Sequence, residues 1–171
     1  MIRKATHLDI DAIENVAASA RAFIKTSGSL QWQDGYPFWE VFVRDIDRGV
    51  LYVYEEAGEI LGIVSLISGR DENYAEIFEG SWLNDEPYYA IHNLAVSARG
   101  RGIGKRLMGF AEEVARENGI RNLRCDTAEE NLIMQHLLAS WGYERCGVIY
   151  LKRTTVHNKR IAYQKILQNG T

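Results

Sequence analysis

The segment Arg99-Gly100-Arg101-Gly102-Ile103-Gly104-Lys105-Arg106 carries three glycines and four cations in eight residues, where the apolar run Leu94-Ala95-Val96 gives way to an amphipathic helix. That combination suits an anion. The first N–H groups of a helix lack intrahelical partners, the helix dipole adds partial positive charge there, and glycine admits an oxyanion close to the main chain. Three templates compete. A P-loop, Gly-x-x-x-x-Gly-Lys-Ser/Thr, fails twice, because Arg99 stands at its first glycine and Arg106 at its hydroxyl. A dinucleotide fingerprint beginning at Gly100 meets Lys105 where its third glycine belongs. The pattern Arg-x-x-Gly-x-Gly is met by Arg99, Gly102 and Gly104. The bland alternative is a glycine-rich turn beside a solvated basic helix face. Upstream, His92 alternates onto the strand face of Leu94 and Val96, and an imidazole is the side chain suited to taking a proton near neutral pH. A hydrogen-bonded structural histidine is its alternative reading.

The elements that position these residues can be read from period and punctuation. A short strand over residues 2–5 precedes a helix capped at Thr6, with Ile10, Ile13, Val16, Ala17 and Ala20 at helical spacing. A Gly- and aromatic-rich connection leads to a second helix over residues 37–48. Residues 51–55 and 60–66 form a β-hairpin turning at Gly58. From Gly69 to Pro87 the period is lost, six carboxylates face the single Arg70, and a short helix is expected around residues 74–78. A strand over 88–96, the helix from Gly102 to Asn118, a strand over 123–126, a helix over 131–141 and strands over 143–151 and 160–167 complete the chain. The order predicts a mixed α/β (α+β) domain spanning residues 1–171, without a repeat or linker.

Composition narrows the function. With 46% apolar and 11% aromatic residues, the 171-residue chain can bury a core. A net charge of −3, from 20 basic and 23 acidic residues, speaks against a nucleic-acid partner. No apolar run approaches the roughly 18 residues of a membrane span, and no signal-peptide core opens the chain, so a cytoplasmic location and no membrane partner are expected. Cys125 and Cys146 lack disulfide-framework or zinc-ligand spacing, and no metal is expected.

The glycine-rich segment resembles the coenzyme A loop of the GNAT-type N-acetyltransferases. The resemblance extends to the order of elements, to Leu123-Arg124-Cys125-Asp126-Thr127 followed by Asn131, and to Trp141-Gly142-Tyr143. Gln31-Trp32-Gln33-Asp34-Gly35-Tyr36-Pro37 and Ile91-His92 are similar to a bacterial branch of unassigned substrate. It implies the GNAT acyl-CoA N-acyltransferase fold: a mostly antiparallel twisted sheet whose central strands splay, flanked by about four helices. It further implies acetyl-CoA as cosubstrate and a primary amine, on a small molecule or peptide, as acceptor, acetylated directly in a ternary complex.

In the residues of this sequence, the Leu94 N–H would polarise the thioester carbonyl, and the stretch through Ala95 to Val96 would pair with pantetheine. Arg99, Gly100, Arg101, Gly102, Ile103, Gly104 and Lys105 would cradle the pyrophosphate. Asn131 would bond the pantetheine arm, with Met134 on the same wall, unless Asn131 is simply a helix cap. His92 is the expected general base, with Glu76 and Glu79 as rivals. Trp32, Tyr36 and Trp82 would either meet the acceptor or pin their loops to the core. Two departures stand out. Only Ser97 and Ala98 separate Val96 from Arg99, two residues fewer than is common, and Leu138 occupies the usual place of a tyrosine acid, for which Tyr143 is either a substitute or a core residue. A homodimer fits the family, and a non-catalytic acyl-CoA-binding or sensing module of the same fold is the alternative function.

Overall fold

The computed structural model describes residues 1–169. Seven strands and four helices follow in the order β1 (Ile2–Lys4), α1 (Ile10–Thr26), α2 (Trp39–Asp47), β2 (Leu51–Glu56), β3 (Glu59–Ser68), β4 (Tyr88–Val96), α3 (Ile103–Glu117), β5 (Asn122–Thr127), α4 (Leu132–Ser140), β6 (Glu144–Tyr150) and β7 (Lys159–Ile166). The sheet order is β1-β2-β3-β4-β5-β7-β6, with β4 and β5 parallel and antiparallel pairing in β1/β2, β2/β3, β5/β7 and β6/β7. This is the mixed α/β architecture the sequence leads one to expect. The chain forms two compact units, one from residues 1–67 and 91–111, the other from residues 68–90 and those after 111, so β4 and α3 each contribute to both.

In the first unit, α1 buries Ile13, Val16, Ala17 and Ala20, the spacing of one helical face, against Phe42 of α2 and Leu51, Val53 and Ile63 of β2 and β3. Each large apolar side chain so buried contributes about 1.5–3 kcal/mol. The hairpin closes through Ala57 and Gly58, both with positive φ, the two-residue turn whose twist matches its strands. α3 sits tightly on β3. A Cβ on Gly62 would lie 2.9 Å from Ile103 and 3.0 Å from Leu107, so glycine is what lets the helix start this close to the sheet.

In the second unit, Tyr74, Tyr88, Ala90, Ile149 and Ala162 form a core cluster, with Ile77, Trp82 and Leu151 packed on it. The short helix expected around residues 74–78 is instead one 3-10 turn at Glu72–Tyr74. Its place has a physical cause. The Asp71 carboxylate accepts from Asn73 N–H and starts the turn early, whereas Phe78 exchanges two 2.8 Å backbone bonds with Val148, which requires extended chain.

The expected cap at Thr6 is present, with a 3-10 turn between it and the α-helix. A 3-10 turn over His7–Asp9 precedes α1, and the Asp9 carboxylate accepts from Thr6 N–H at 2.8 Å and Thr6 Oγ1 at 3.2 Å. Arg3 of β1 clamps the same carboxylate through two nitrogens at 2.8 and 2.9 Å and reaches Glu55 at 2.7 Å. The clamp holds the Asp9 acid down at about 2. Because this folded-state value lies below that of a free carboxylate, the stabilisation is complete above about pH 4 and is lost as pH falls toward 2. Asp9→Asn is therefore expected to lower stability by about 1–2 kcal/mol at pH 7, after discounting for solvent at Arg3. In denaturant titrations, the gap between variant and parent should shrink steadily below pH 4. A gap unchanged at pH 2.5 would refute the electrostatic account.

Candidate active site

β4 pairs with β5 through Tyr88↔Asn122, Tyr89↔Leu123 and Ala90↔Arg124, then runs six residues beyond the last of these pairs. At that point its burial pattern slips. Ala90 and Ile91 are both buried, after which half-buried His92, Leu94 and Val96 alternate with buried Asn93 and Ala95. Asn93 has φ +55°, a left-handed conformation that asparagine adopts more readily than most residues. Its amide donates to Asp45 Oδ2 at 3.4 Å and Ser65 Oγ at 3.3 Å, and the Ser65 hydroxyl donates to Asp45 Oδ2 at 2.8 Å. Spacing alone puts His92, Leu94 and Val96 on one face. The structure adds a left-handed residue between them.

The strand ends where Ser97 N–H donates to Leu61 O at 3.0 Å, and a loop over residues 97–102 leads into α3. Gly100 and Gly102 have φ +75° and +72°, with no atom within 4 Å of where a Cβ would lie, and the first turn of α3 holds no acidic residue. An anion can therefore come close to the main chain here. The side chains are disposed otherwise than expected. Arg99 donates to Ser19 O at 2.9 Å and stacks 3.9 Å over Phe23, Arg101 is paired with Glu56, and Arg106 donates to Tyr54 Oη at 2.7 Å. The arginines fasten the loop to its own unit. Lys105 is exposed, and Ile103 and Ala95 have buried side chains, so these last two can offer a ligand only backbone.

Trp32 and Tyr36 also belong to the first unit. Trp32 is 8% exposed with φ +63°, packed among Ile13, Phe42 and Ala95, which leaves little of its ring to meet an acceptor. Tyr36 is half-buried against the same cluster, and Arg21 holds its segment by donating to Tyr36 O and Pro37 O.

In the second unit, Asn131 is the N-cap of α4, accepting from Met134 N–H at 3.2 Å, and Met134 is half-buried. Trp82 donates its indole N–H to Tyr74 O at 2.9 Å, while the buried guanidinium of Arg124 lies 4.2 Å from both the Trp82 and the Tyr88 ring. Tyr74 in turn donates to Asp126 Oδ2 at 2.7 Å, and burial pushes its phenol well up. Glu76 and Glu79 are exposed on the same loop.

Leu138 is fully buried. Tyr143 is 5% exposed, its hydroxyl buried without a hydrogen-bond partner and its acidity suppressed first by burial. Its ring is part of the buried apolar interior of the second unit. Cys125 is buried, and burial, with Asp126 beside it, pushes its thiol far up. Such a thiol stays protonated and unreactive. Sequence reasoning missed Asp45, Ser65 and Asn93. The available signal was an asparagine, a poor strand former, inside an otherwise apolar strand.

Comparison with known proteins gives this geometry its context. Residues 18–143, well over half of the chain, match the profile of the acetyltransferase (GNAT) family. An acetyltransferase of the GNAT family from Streptococcus agalactiae is 37% identical, with a TM-score of 0.87 over 99% of this chain and 96% of that one. A putative acetyltransferase from Staphylococcus aureus is 27% identical, TM-score 0.75, over 98% and 99% of the two chains. The PaiA N-acetyltransferase of Thermoplasma acidophilum, solved with coenzyme A, shares the fold at 15% identity, TM-score 0.72, over 97% and 98%. No curated protein matches the sequence. A β4 strand that outruns its pairing with β5, an open glycine loop at the start of α3, and these matches place the chain in the GNAT family of acetyltransferases, enzymes whose cosubstrate is acetyl-CoA.

Proposed function

We propose that this protein transfers the acetyl group of acetyl-CoA directly to a primary amine, with residues 1–171 acting as one catalytic domain. The observation that carries the reading is the passage from β4 into α3, where two left-handed glycines open the backbone at a helix N-terminus free of acidic residues. The residues fit a pyrophosphate. Amides of residues 102–105 would hold it, with Lys105 as the available cation and the arginines as anchors of the loop. Val96 would pair with the pantetheine arm.

The cosubstrate supplies an activated acetyl thioester. His92 would take a proton from the acceptor ammonium, freeing the nitrogen lone pair to form the new C–N bond. Leu94 N–H would donate to the carbonyl oxygen as negative charge develops there. No protein acid is asked for at the departing sulfur, and Leu138 provides none. The exposed carboxylates of the loop over residues 69–87 favour a cationic acceptor, with Glu76 and Glu79 as substitutes for His92 should it prove structural.

The direct test is thiol release from acetyl-CoA against a panel of amines, beside calorimetric titration of coenzyme A. Release with one amine class is expected and would identify the acceptor. Binding without release across the panel would turn the reading to an acyl-CoA sensor, and failure to bind coenzyme A would end it. Gly102→Val forces a branched residue to positive φ and should raise the acetyl-CoA KM at least tenfold with a smaller effect on kcat.

His92→Ala should lower kcat about a hundredfold and remove the acid limb of the pH–rate profile. An unchanged profile would pass the role to the loop carboxylates. Tyr143→Phe deletes an unbonded buried hydroxyl, and Cys125→Ala an inert thiol. Both should keep kcat within about twofold, and Tyr143→Phe should melt no lower than the parent. Mass spectrometry should find no acetylated enzyme after mixing with acetyl-CoA alone. An acetyl adduct on Cys125 would contradict direct transfer.

A further inference from the structure

We infer that Asn93 is a positioning residue for acetyl transfer, held by Ser65 and Asp45 so that β4 presents the Leu94 amide to the reacting carbonyl; this rests on the proposed role of Leu94. Three observations within the first unit converge. Asn93 adopts φ +55° in the middle of a strand, immediately before Leu94 and three residues past the last pairing of β4 with β5. Its side chain is spent inward on two polar atoms that are themselves joined, Ser65 Oγ and Asp45 Oδ2, from β3 and α2. The carboxylate at the base of this network is fully buried, its other oxygen taking Arg44 at 3.0 and 3.1 Å.

Burying a carboxylate is costly unless every lone pair is engaged, and a hydrophobic trio would fill such a space at no such cost. Stability therefore gives little reason for the network. Geometry gives a better one. An extended residue at position 93 would leave the following peptide, which contains the Leu94 N–H, in the regular strand direction, whereas the left-handed residue turns that peptide out of it while His92, Leu94 and Val96 remain half-buried on either side. The network fixes this unusual backbone conformation from two neighbouring elements. Donors aimed at developing charge help only when held in place before the reaction, which is the requirement a three-element tether meets.

Two substitutions separate the backbone from the tether. Asn93→Ala removes the side chain and disfavours positive φ, while Asn93→Gly removes the side chain but leaves that conformation open. Each is to be measured for kcat, acetyl-CoA KM, coenzyme A affinity by calorimetry, and melting temperature. The alanine variant should lose at least tenfold in kcat with coenzyme A affinity within twofold of the parent. The glycine variant, which regains the conformation without the tether, should fall between the alanine variant and the parent, and a glycine variant within twofold of the parent overturns the role of the tether. An alanine variant within twofold of the parent overturns the inference. So does a glycine variant as slow as the alanine one, or a loss of kcat matched by an equal loss of coenzyme A affinity. If the parent protein itself fails to bind coenzyme A, the acetyltransfer reading falls first and the inference falls with it.

Discussion

A strand that leaves its neighbour part-way must find other partners for its remaining N–H and C=O groups, and this constraint organises the molecule around β4. Pairing with β5 ends at Ala90, yet the strand continues to Val96. Buried backbone groups left unmet are costly, so the continuation must be supported on its other edge, bent, and offered to something that can pair with it. The structure meets the first two demands through the Leu61 contact of Ser97 and the left-handed Asn93. The third is the demand that the proposed pairing of Val96 with pantetheine would meet, as an added strand would.

The loop after β4 divides its labour between main chain and side chains. Four basic residues beside three glycines read in the sequence as a concentration of charge for phosphate. In the fold, Arg99, Arg101 and Arg106 are committed to Ser19, Phe23, Glu56 and Tyr54. The loop is two residues shorter than is common in the family, which gives it less chain with which to wrap an anion, and the arginine tethers hold what there is in one shape. Rigid amides lose little entropy on binding, so a loop of this kind can hold an anion with fewer free cations than its sequence advertises.

Strand and helix boundaries were largely legible because period and punctuation are local: β4 matches its expected range, and α3 ends at Glu117, one residue before the expected Asn118. Turn chemistry was less so. The 3-10 turn at Glu72–Tyr74 depends on the Asp71 side chain and on Phe78 pairing with a strand some seventy residues later, and no window around Tyr74 contains that information. The same holds for the site. The Gly102-x-Gly104 signature lies in one stretch, but the tether of Asn93 is assembled from residues 45, 65 and 93, and the Tyr143 environment from long-range packing. What pattern shows is which residues are capable of chemistry; which are already occupied is decided by contacts distant in sequence.

That distinction bears on how an acceptor would be chosen. The sequence leaves Trp32 and Trp82 as either acceptor contacts or rings that pin their loops, and in the fold one is buried in a core cluster while the other is fixed by a hydrogen bond to Tyr74 and a stacked Arg124. Rings that hold loops in place can meet a ligand only where they stand. Charge remains. Six carboxylates between residues 69 and 87 accompany a single arginine, and on the proposed reading charges of one sign collected on one loop would raise the local concentration of a cationic amine before any contact is made. Such steering acts over roughly the Debye length, about 8–10 Å at physiological salt, and is screened as salt rises. On the proposed reading it would discriminate charged amines from neutral ones without distinguishing sharply among the charged, so finer selectivity would fall to the groups that touch the acceptor nitrogen.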